Sequence, residues 1–323
     1  MFVWSQINHK CDKIATMFDL AIIGGGPAGV AAGVYAARKR LKTIFIAEVI
    51  GGQSTESVDV QNWIGTPHIS GVAMAKQMEA HLREYASDML QINLGERADK
   101  VEAAGDHFSV HTTKSIYPAK TVLVTTGGAR KKLDAKGAAE FENKGVTYCA
   151  SCDGPLFAGQ DVAVVGGGNA GFETAVQLLA YCKSVTLIHR QKDFLRADKA
   201  TVDAVLAHKN MKTVTNATPV EVKGDTFVKA LVVKDNASGA PTELPVAGIF
   251  VEIGMLPATA LVGGLVALDE WNKIKVDAKN QRASVPGIWA AGDCTDGLYH
   301  QNNIAAGDAV KALEDIYYFL KAR

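Results

Sequence analysis

The sequence predicts an α/β fold in which one strand–helix–strand unit occurs twice, the second copy set inside the chain of the first. Three observations predict it. A short strand ends in Gly24-Gly25-Gly26-Pro27-Ala28-Gly29, and a second ends in Gly166-Gly167-Gly168-Asn169-Ala170-Gly171. A helical run and another apolar strand follow each glycine turn, with matching residues at a constant offset of 142. Beyond the second copy, apolar strands ending at Gly254 and Gly292 read as the return of the first.

Phe18-Asp19-Leu20-Ala21-Ile22-Ile23 is the opening strand, and a helical run to Arg40 follows its glycine turn. Thr43 to Ala47 is the next strand, closed by Glu48, 24 residues past Gly24. Each part has a physical task. Gly24 permits the tight turn, Gly26 lets a pyrophosphate approach the backbone, and Gly29 lets helix and strand pack closely. The helix N-terminus faces the phosphates with partial positive charge. Glu48 can hydrogen-bond an adenosine ribose and would repel a 2′-phosphate. The pattern is that of a Rossmann-like dinucleotide-binding unit. Gly51-Gly52-Gln53 and Asn62-Trp63 fall in loops on the ligand side, where turn chemistry alone would also explain them.

Residues 71–87 read as an amphipathic helix with Val72, Ala75, Met78, Leu82 and Tyr85 on one side. From about 90 to 125 the period shifts towards two, as in Phe108, Val110 and Thr112, which suggests an antiparallel meander. Thr121 to Thr125 returns as a strand.

Cys149-Ala150-Ser151-Cys152-Asp153-Gly154 comes next, and the rest of the chain reads as its support. Two cysteines at this spacing can close and reopen a small disulfide, and the pairing lowers one thiol's pKa. Asp153 follows the second sulfur, where a carboxyl group could carry the proton that exchange loses or gains. Half a zinc site and a purely structural pair are the alternatives. Zinc needs four ligands, usually from a second such pair, whereas Cys11, Cys182 and Cys294 are scattered singly. Redox exchange is therefore preferred, with no metal expected.

In the second unit, Asp161 to Val165 is the strand and a helix runs from the turn, with Asn169 at its start, to about Tyr181. Ser184 to Ile188 is the closing strand. Where the first unit has Glu48, this one has His189-Arg190, with Lys192 and Arg196 behind. Cations here suit the additional phosphate of NADP, although a solvated basic loop is the bland alternative. Residues 197–249 read as a helix and then strands, with a hairpin turn at Asp235–Gly239. The chain is then expected to re-enter the first domain, with a strand from Ile249 to Ile253 and another from Pro286-Gly287 to Gly292-Asp293. A last helix over 302–321 carries Ile304, Val310, Leu313, Ile316 and Leu320 at helical spacing, read as core packing. Asp293 and Gln301 sit at the strand-to-helix passage, where a flavin ring could lie against a helix N-terminus.

Composition bounds the classes. The 323 residues suggest about two domains. Lys plus Arg and Asp plus Glu are both 34, so the basic footprint of a nucleic-acid binder is absent. No apolar run approaches the roughly 20 residues of a membrane span, and Lys10, Asp12 and Lys13 interrupt any signal-peptide core. Residues 1–16 read as an N-terminal extension, because Met17 directly precedes the first strand. Five cysteines without a regular framework fit a reducing, cytoplasmic compartment.

From Met17 to the C-terminus the chain resembles the low-molecular-weight thioredoxin reductases. The blocks that carry the resemblance are Gly24–Gly29, Gly51-Gly52-Gln53, Asn62-Trp63, Cys149–Gly154, Gly166–Gly171, Gly254 with Pro257, and Ala283–Asp293. The flavoprotein subunit of alkyl hydroperoxide reductase has a similar core, especially around Gly292-Asp293-Cys294-Thr295 and Tyr299-His300-Gln301. The resemblance implies two nested Rossmann-like domains. An outer FAD domain of residues 17–128 and 250–323 would use Gly24, Gly26, Gly29, Glu48, Gly52, Gln53, Asn62, Gly292, Asp293 and Gln301. An inserted NADPH domain, residues 129–249, would use Gly166, Gly168, Asn169, Gly171, Arg190 and Arg196 and carry the redox disulfide. Cys152 would face the flavin, Asp153 would be the acid/base, and a homodimer would reduce a thioredoxin-like protein.

Two departures bear on the electron donor. The family's His-Arg-Arg signature has Gln191 as its third residue here, with Arg196 one place late, and Gly171 stands where many NADPH-using relatives have Ala. Reduction of another redox partner, use of ferredoxin as donor, a dithiol oxidase and a non-enzymatic zinc or nucleotide-sensing module are the rival readings.

Overall fold

Apolar runs of five or six residues form strands here, and the longer stripes form helices. The structure is a computed structural model that describes residues 17–57, 59–195 and 197–322. Cys11, the rest of the N-terminal extension and Arg196 lie outside the described residues. In chain order, β1 (Phe18–Ile23), α1 (Pro27–Arg38), β2 (Thr43–Ala47) and α2 (Gly71–Glu84) come first. β3 (Leu90–Leu94), β4 (Ala98–Ala104), β5 (His107–Thr112), β6 (Ile116–Val124) and β7 (Gly128–Arg130) follow. Next are β8 (Val146–Thr147), the single turn α3 (Ala150–Asp153), β9 (Asp161–Val165), α4 (Asn169–Leu179) and β10 (Ser184–Ile188). The chain continues through α5 (Lys199–Leu206), β11 (Met211–Val214), β12 (Ala217–Gly224), β13 (Val228–Asp235) and β14 (Pro241–Pro245). It ends with β15 (Gly248–Val251), β16 (Met255–Pro257), β17 (Ile288–Ala290) and α6 (Asn302–Lys321).

These elements form two compact units. One takes the described residues through Ser54, Met74–Gly127 and Pro257 onward; the other takes Thr55–Ala73 and Gly128–Leu256. In the first, the strand order is β3-β2-β1-β6-β5-β4, with β17 also paired to β6. β1 runs parallel to β2 and β6, and β2 parallel to β3. Leu20, Ala21 and Ile22 of β1 are fully buried, as a central parallel strand requires. The buried face of α1 includes Ala28, Ala32 and Ala36, and that of α6 includes Ala305, Ala309 and Ala312, so the two helices pack closely. Asp315 of α6 ties that helix to the sheet. It accepts from the indole Nε1 of buried Trp289 at 2.8 Å and from Arg282 NH2 at 3.1 Å.

The meander lies in β4–β6, which are antiparallel. Leu90–Leu94, expected within it, pairs parallel with β2 instead, because α2 supplies the crossover that a parallel strand needs. Along α2 the buried residues are Met74, Ala75, Met78 and Leu82, whereas Val72 is 53% exposed. Ile304 similarly stands outside the buried stripe of α6, which is Ala305, Ala309, Ala312, Leu313 and Ile316. In both helices one large apolar residue in the first turn misses the stripe.

In the second unit, five parallel strands run β11-β10-β9-β15-β8. The sequence places β15 in the first domain, but it pairs with β9 and β8 and belongs to this sheet. Its run of buried residues fits the interior of either parallel sheet, so apolarity alone does not assign it. One face of the sheet packs on the antiparallel β12-β13-β14 through Val146, Ala163, Ile249, Leu231 and Val233. The other packs on α4 and α5 through Val164, Phe250, Phe172, Leu178 and Val205. Among the described residues no helix is long and apolar enough to cross a membrane.

Truncating Asp315 leaves the Trp289 indole N–H buried without its acceptor. Asp315→Ala should cost about 1–3 kcal/mol in urea unfolding, and Asp315→Asn should recover part of it.

Candidate active site

Both glycine turns depend on the same close approach. Gly24 has φ 122° and Gly166 φ 130°, a region that favours glycine. A Cβ on Gly29 would land on the Gly24 carbonyl oxygen, and one on Gly171 would land on that of Gly166. A side chain at either third glycine therefore forces strand and helix apart. Gly26 and Gly168 are different. Each is in extended conformation as the residue before its helix, and among the described residues no atom lies within 4 Å of a Cβ built there. Neither helix N-terminus has a side-chain cap from that residue, and the first starts with Pro27. The geometry leaves open space beside backbone N–H groups, which is what an incoming phosphate requires.

The first-unit cluster gathers more than the glycine motif. Glu48 is exposed just past β2, and its carbonyl accepts from Gly95 N at 3.0 Å. A Cβ on Gly52 would lie 3.5 Å from Gly26 Cα, and Gln53 follows in the same short 3-10 turn. Gly292, at φ 77°, lies between the starts of two helices: a Cβ there would be 3.2 Å from Ala305 Cβ and 3.5 Å from Ala28 Cβ. Asp293 follows directly, 3.5 Å from His300 Nδ1, while His300 Nε2 is 2.9 Å from Lys273 Nζ. Gln301 precedes α6. Asn62 belongs to the 55–73 segment of the second unit. Buried Cys294 contacts the Val124 and Ala291 carbonyl oxygens, and burial pushes its thiol up to about 11, as packing predicts.

In the second unit, His189 turns inward. A Cβ on Gly167 would meet its ring, and the ring stacks on Phe194 with centroids 5.2 Å apart. Burial lowers its pKa, so it is a neutral spacer beneath the turn. Arg190 and Lys192 remain exposed. Asn169 accepts from Asp198 N at 2.7 Å through its side-chain oxygen, and Asp198 caps α5. That oxygen serves the fold. Glu252, at the end of β15, is buried and accepts from Arg130 and Thr174 at 3.0 Å each.

Cys149 and Cys152 are bonded, with Cα atoms 5.3 Å apart. Cys149 caps α3, and its carbonyl accepts from Cys152 N at 3.2 Å and Asp153 N at 3.0 Å. The turn thereby holds both sulfurs and the carboxyl group in one short segment. Gly154 lies under the Tyr181 hydroxyl, which leaves no room for a larger residue. Burial raises the Asp153 pKa, and the Thr147 hydroxyl, which donates to Oδ2, works against that rise. Sequence reasoning missed Thr147, Gly25 and the Lys273–His300 contact. A Cβ on Gly25 would land on the Val49 carbonyl, and the middle glycine of the run was the available signal.

Two dinucleotide turns and a disulfide beside a carboxyl group define a nucleotide-linked disulfide oxidoreductase. Residues 18–309 match the family described as pyridine nucleotide-disulphide oxidoreductase, and the chain belongs to that family. An alkyl hydroperoxide reductase polypeptide of Xanthomonas campestris pv. phaseoli is 40% identical over 299 residues, 91% of this chain and 56% of that protein. An NADH dehydrogenase from Bacillus subtilis (strain 168) is 36% identical over 304 residues, 94% of this chain and 58% of that protein. The chain thus spans somewhat over half the length of these curated relatives. A solved thioredoxin reductase from Streptococcus pyogenes MGAS5005 matches with TM-score 0.87 at 34% identity, covering 95% of this chain and 99% of that one.

Asp153 keeps its proton to higher pH in the folded chain than in the unfolded one. The folded state therefore binds more protons between the usual carboxylate value and the raised one, and stability falls as pH rises through that window. Asp153→Asn should raise the urea midpoint at pH 7. The gain should vanish at a pH below the usual carboxylate range, where both forms are neutral.

Proposed function

We propose that the chain is an FAD-dependent disulfide reductase that passes electrons from NADPH through Cys149–Cys152 to a thioredoxin-like protein, acting as a homodimer. One observation carries this reading: a half-buried disulfide closed within a single turn, followed at once by a carboxyl group of raised pKa. That pairing suits exchange chemistry, in which sulfurs and a proton carrier must act together.

The first-unit turn fits FAD. Its open face at Gly26, its close approach at Gly29 and the exposed carboxylate of Glu48 meet the needs of a pyrophosphate and a ribose. Gly24, Gly26, Gly29, Glu48, Gly52, Gln53, Gly292, Asp293 and Gln301 would hold it. When bound, FAD supplies a two-electron carrier between a nicotinamide and a disulfide. Gly166, Gly168 and Gly171 offer the same cradle to NADPH. With His189 turned inward and neutral, Arg190 and Lys192 are the described cations for the 2′-phosphate, and Arg196 is assigned the same task from sequence.

In the reduced chain, one cysteine thiolate attacks the partner's disulfide to form a mixed disulfide and expels one partner thiolate. The second cysteine, its proton passing to Asp153, breaks the mixed disulfide. Cys149 and Cys152 are bonded again, and the partner leaves as a dithiol. The acceptor could instead be the redox module of a peroxide-reducing system, a reading favoured by the 40% identity to the alkyl hydroperoxide reductase polypeptide. Parallel assays with thioredoxin and with such a module separate the two.

Cys152→Ser should retain flavin bleaching by NADPH and lose disulfide turnover by roughly a thousandfold or more, as loss of a covalent relay predicts. Wild-type turnover in this variant would overturn the assigned route. Arg190→Ala should weaken NADPH by about 1–3 kcal/mol, read as an increased KM for NADPH with little change for NADH.

A further inference from the structure

We propose that Thr147 is a positioning residue for proton transfer at the disulfide. Its hydroxyl holds Asp153 Oδ2 and leaves Oδ1 as the oxygen that takes and gives the proton. This rests on the disulfide-reductase reading above.

The direction of the contacts is set by chemistry. Thr147 is 6% exposed and lies at the end of β8, in register with Phe250 of β15. Its Oγ1 is 3.3 Å from the Cys149 amide, which can only donate, so Oγ1 is the acceptor there. The hydroxyl's single proton is then directed to Asp153 Oδ2. One side chain thereby links the backbone of the first cysteine to the carboxyl group that follows the second. The contact fixes the carboxyl plane and commits one oxygen.

The contact also tunes the group. Burial favours protonated Asp153, and the hydroxyl bond favours the ionised form; burial is the larger effect. Among the described residues these two influences account for the shift, with no charged neighbour contributing. Among the described residues, the titratable side chains of and next to this turn include the two cysteines of the pair, Tyr148 and Tyr181; behind Tyr148 lies Lys132, its ammonium 4.9 Å from the ring centroid and paired with Glu142. Tyr148 accepts from Leu133 N through its hydroxyl at 3.2 Å, whereas the Tyr181 hydroxyl lies over Gly154. Burial raises both phenols, and it raises Cys182, beside Tyr181, to about 11, so all three stay neutral near pH 7. Removing the Thr147 hydroxyl leaves desolvation unopposed.

The proton matters at one step. When the second cysteine breaks the mixed disulfide, its thiol proton goes to Oδ1, its sulfur bonds to the first cysteine, and the partner's thiolate departs. That thiolate then takes the proton from Oδ1. Two electrons and two protons pass from the cysteine pair to the partner disulfide, which is the oxidant.

The test uses the dithiol-reduced full chain and two small disulfides across pH 5–9. Hydroxyethyl disulfide releases a basic thiolate that needs a proton, whereas an aromatic disulfide such as DTNB releases a thiolate that does not. Thr147→Val should slow hydroxyethyl disulfide roughly tenfold at neutral pH, and slow DTNB distinctly less. The limb of the rate profile due to Asp153 should move to higher pH, and Thr147→Ser should restore it. Carbon-13 titration of the Asp153 carboxyl in the oxidised variants reads the same upward movement without turnover. An unmoved Asp153 titration in Thr147→Val, or equal slowing of both disulfides, would overturn the assignment. Failure of the wild-type dithiol to reduce either reagent would instead overturn the disulfide-reductase reading, and this inference with it.

Discussion

A helix can begin at the very end of a strand only where the two arms of the connecting turn nearly touch. In this chain that contact is the carbonyl oxygen of the first glycine set against the α-carbon of the third, made once at Gly24 and Gly29 and again at Gly166 and Gly171. Any side chain at the third position would occupy the oxygen's place. The remaining features of each turn depend on the contact. It brings the first amides of α1 and α4 to the C-terminal edge of a parallel sheet, where uncancelled backbone dipoles attract an anion. It also leaves the middle position, Gly26 or Gly168, facing open space.

The two turns diverge in what supports them from beneath. Under the first, Gly25 meets the Val49 backbone, so the turn rests on the chain just after β2 and Glu48. Under the second, Gly167 meets the His189 imidazole, which is held neutral by burial and stacked on Phe194. The same local geometry thus comes with an acidic neighbour in one unit and with basic residues beyond a neutral ring in the other. The disulfide is positioned by other means. It sits on one helical turn that follows an edge strand of two residues, with the Thr147 hydroxyl and the Gln177 side chain as polar supports.

Features set by sequence-local spacing were legible in advance. The glycine turns, their strands and the cysteine pair each depend on residues a few positions apart, so pattern alone identifies them. Features set by distant contacts were not. β15 is an apolar strand like its neighbours, and only its pairing with β9 and β8 assigns it to a sheet. Val72 and Ile304 fit helical stripes by spacing, yet each first turn begins outside the packed face. His189 reads as the first of a run of cations, and its inward rotamer depends on Gly167 and Phe194, which no spacing rule connects to it. Thr147 reads as an ordinary β-branched strand residue until its hydroxyl is seen against Asp153.

The remaining described cysteines affect how the pair behaves. Cys182 is 4% exposed and Cys294 fully buried, and both thiols are raised to about 11. Near neutrality neither offers an appreciable thiolate, and neither is open to solvent-borne reagents. Among the described residues no other sulfur therefore rivals the Cys149–Cys152 pair as one that could capture an end of an opened bond and scramble the linkage. Under the proposed exchange chemistry, each closure of the bond would return the chain to the same covalent structure.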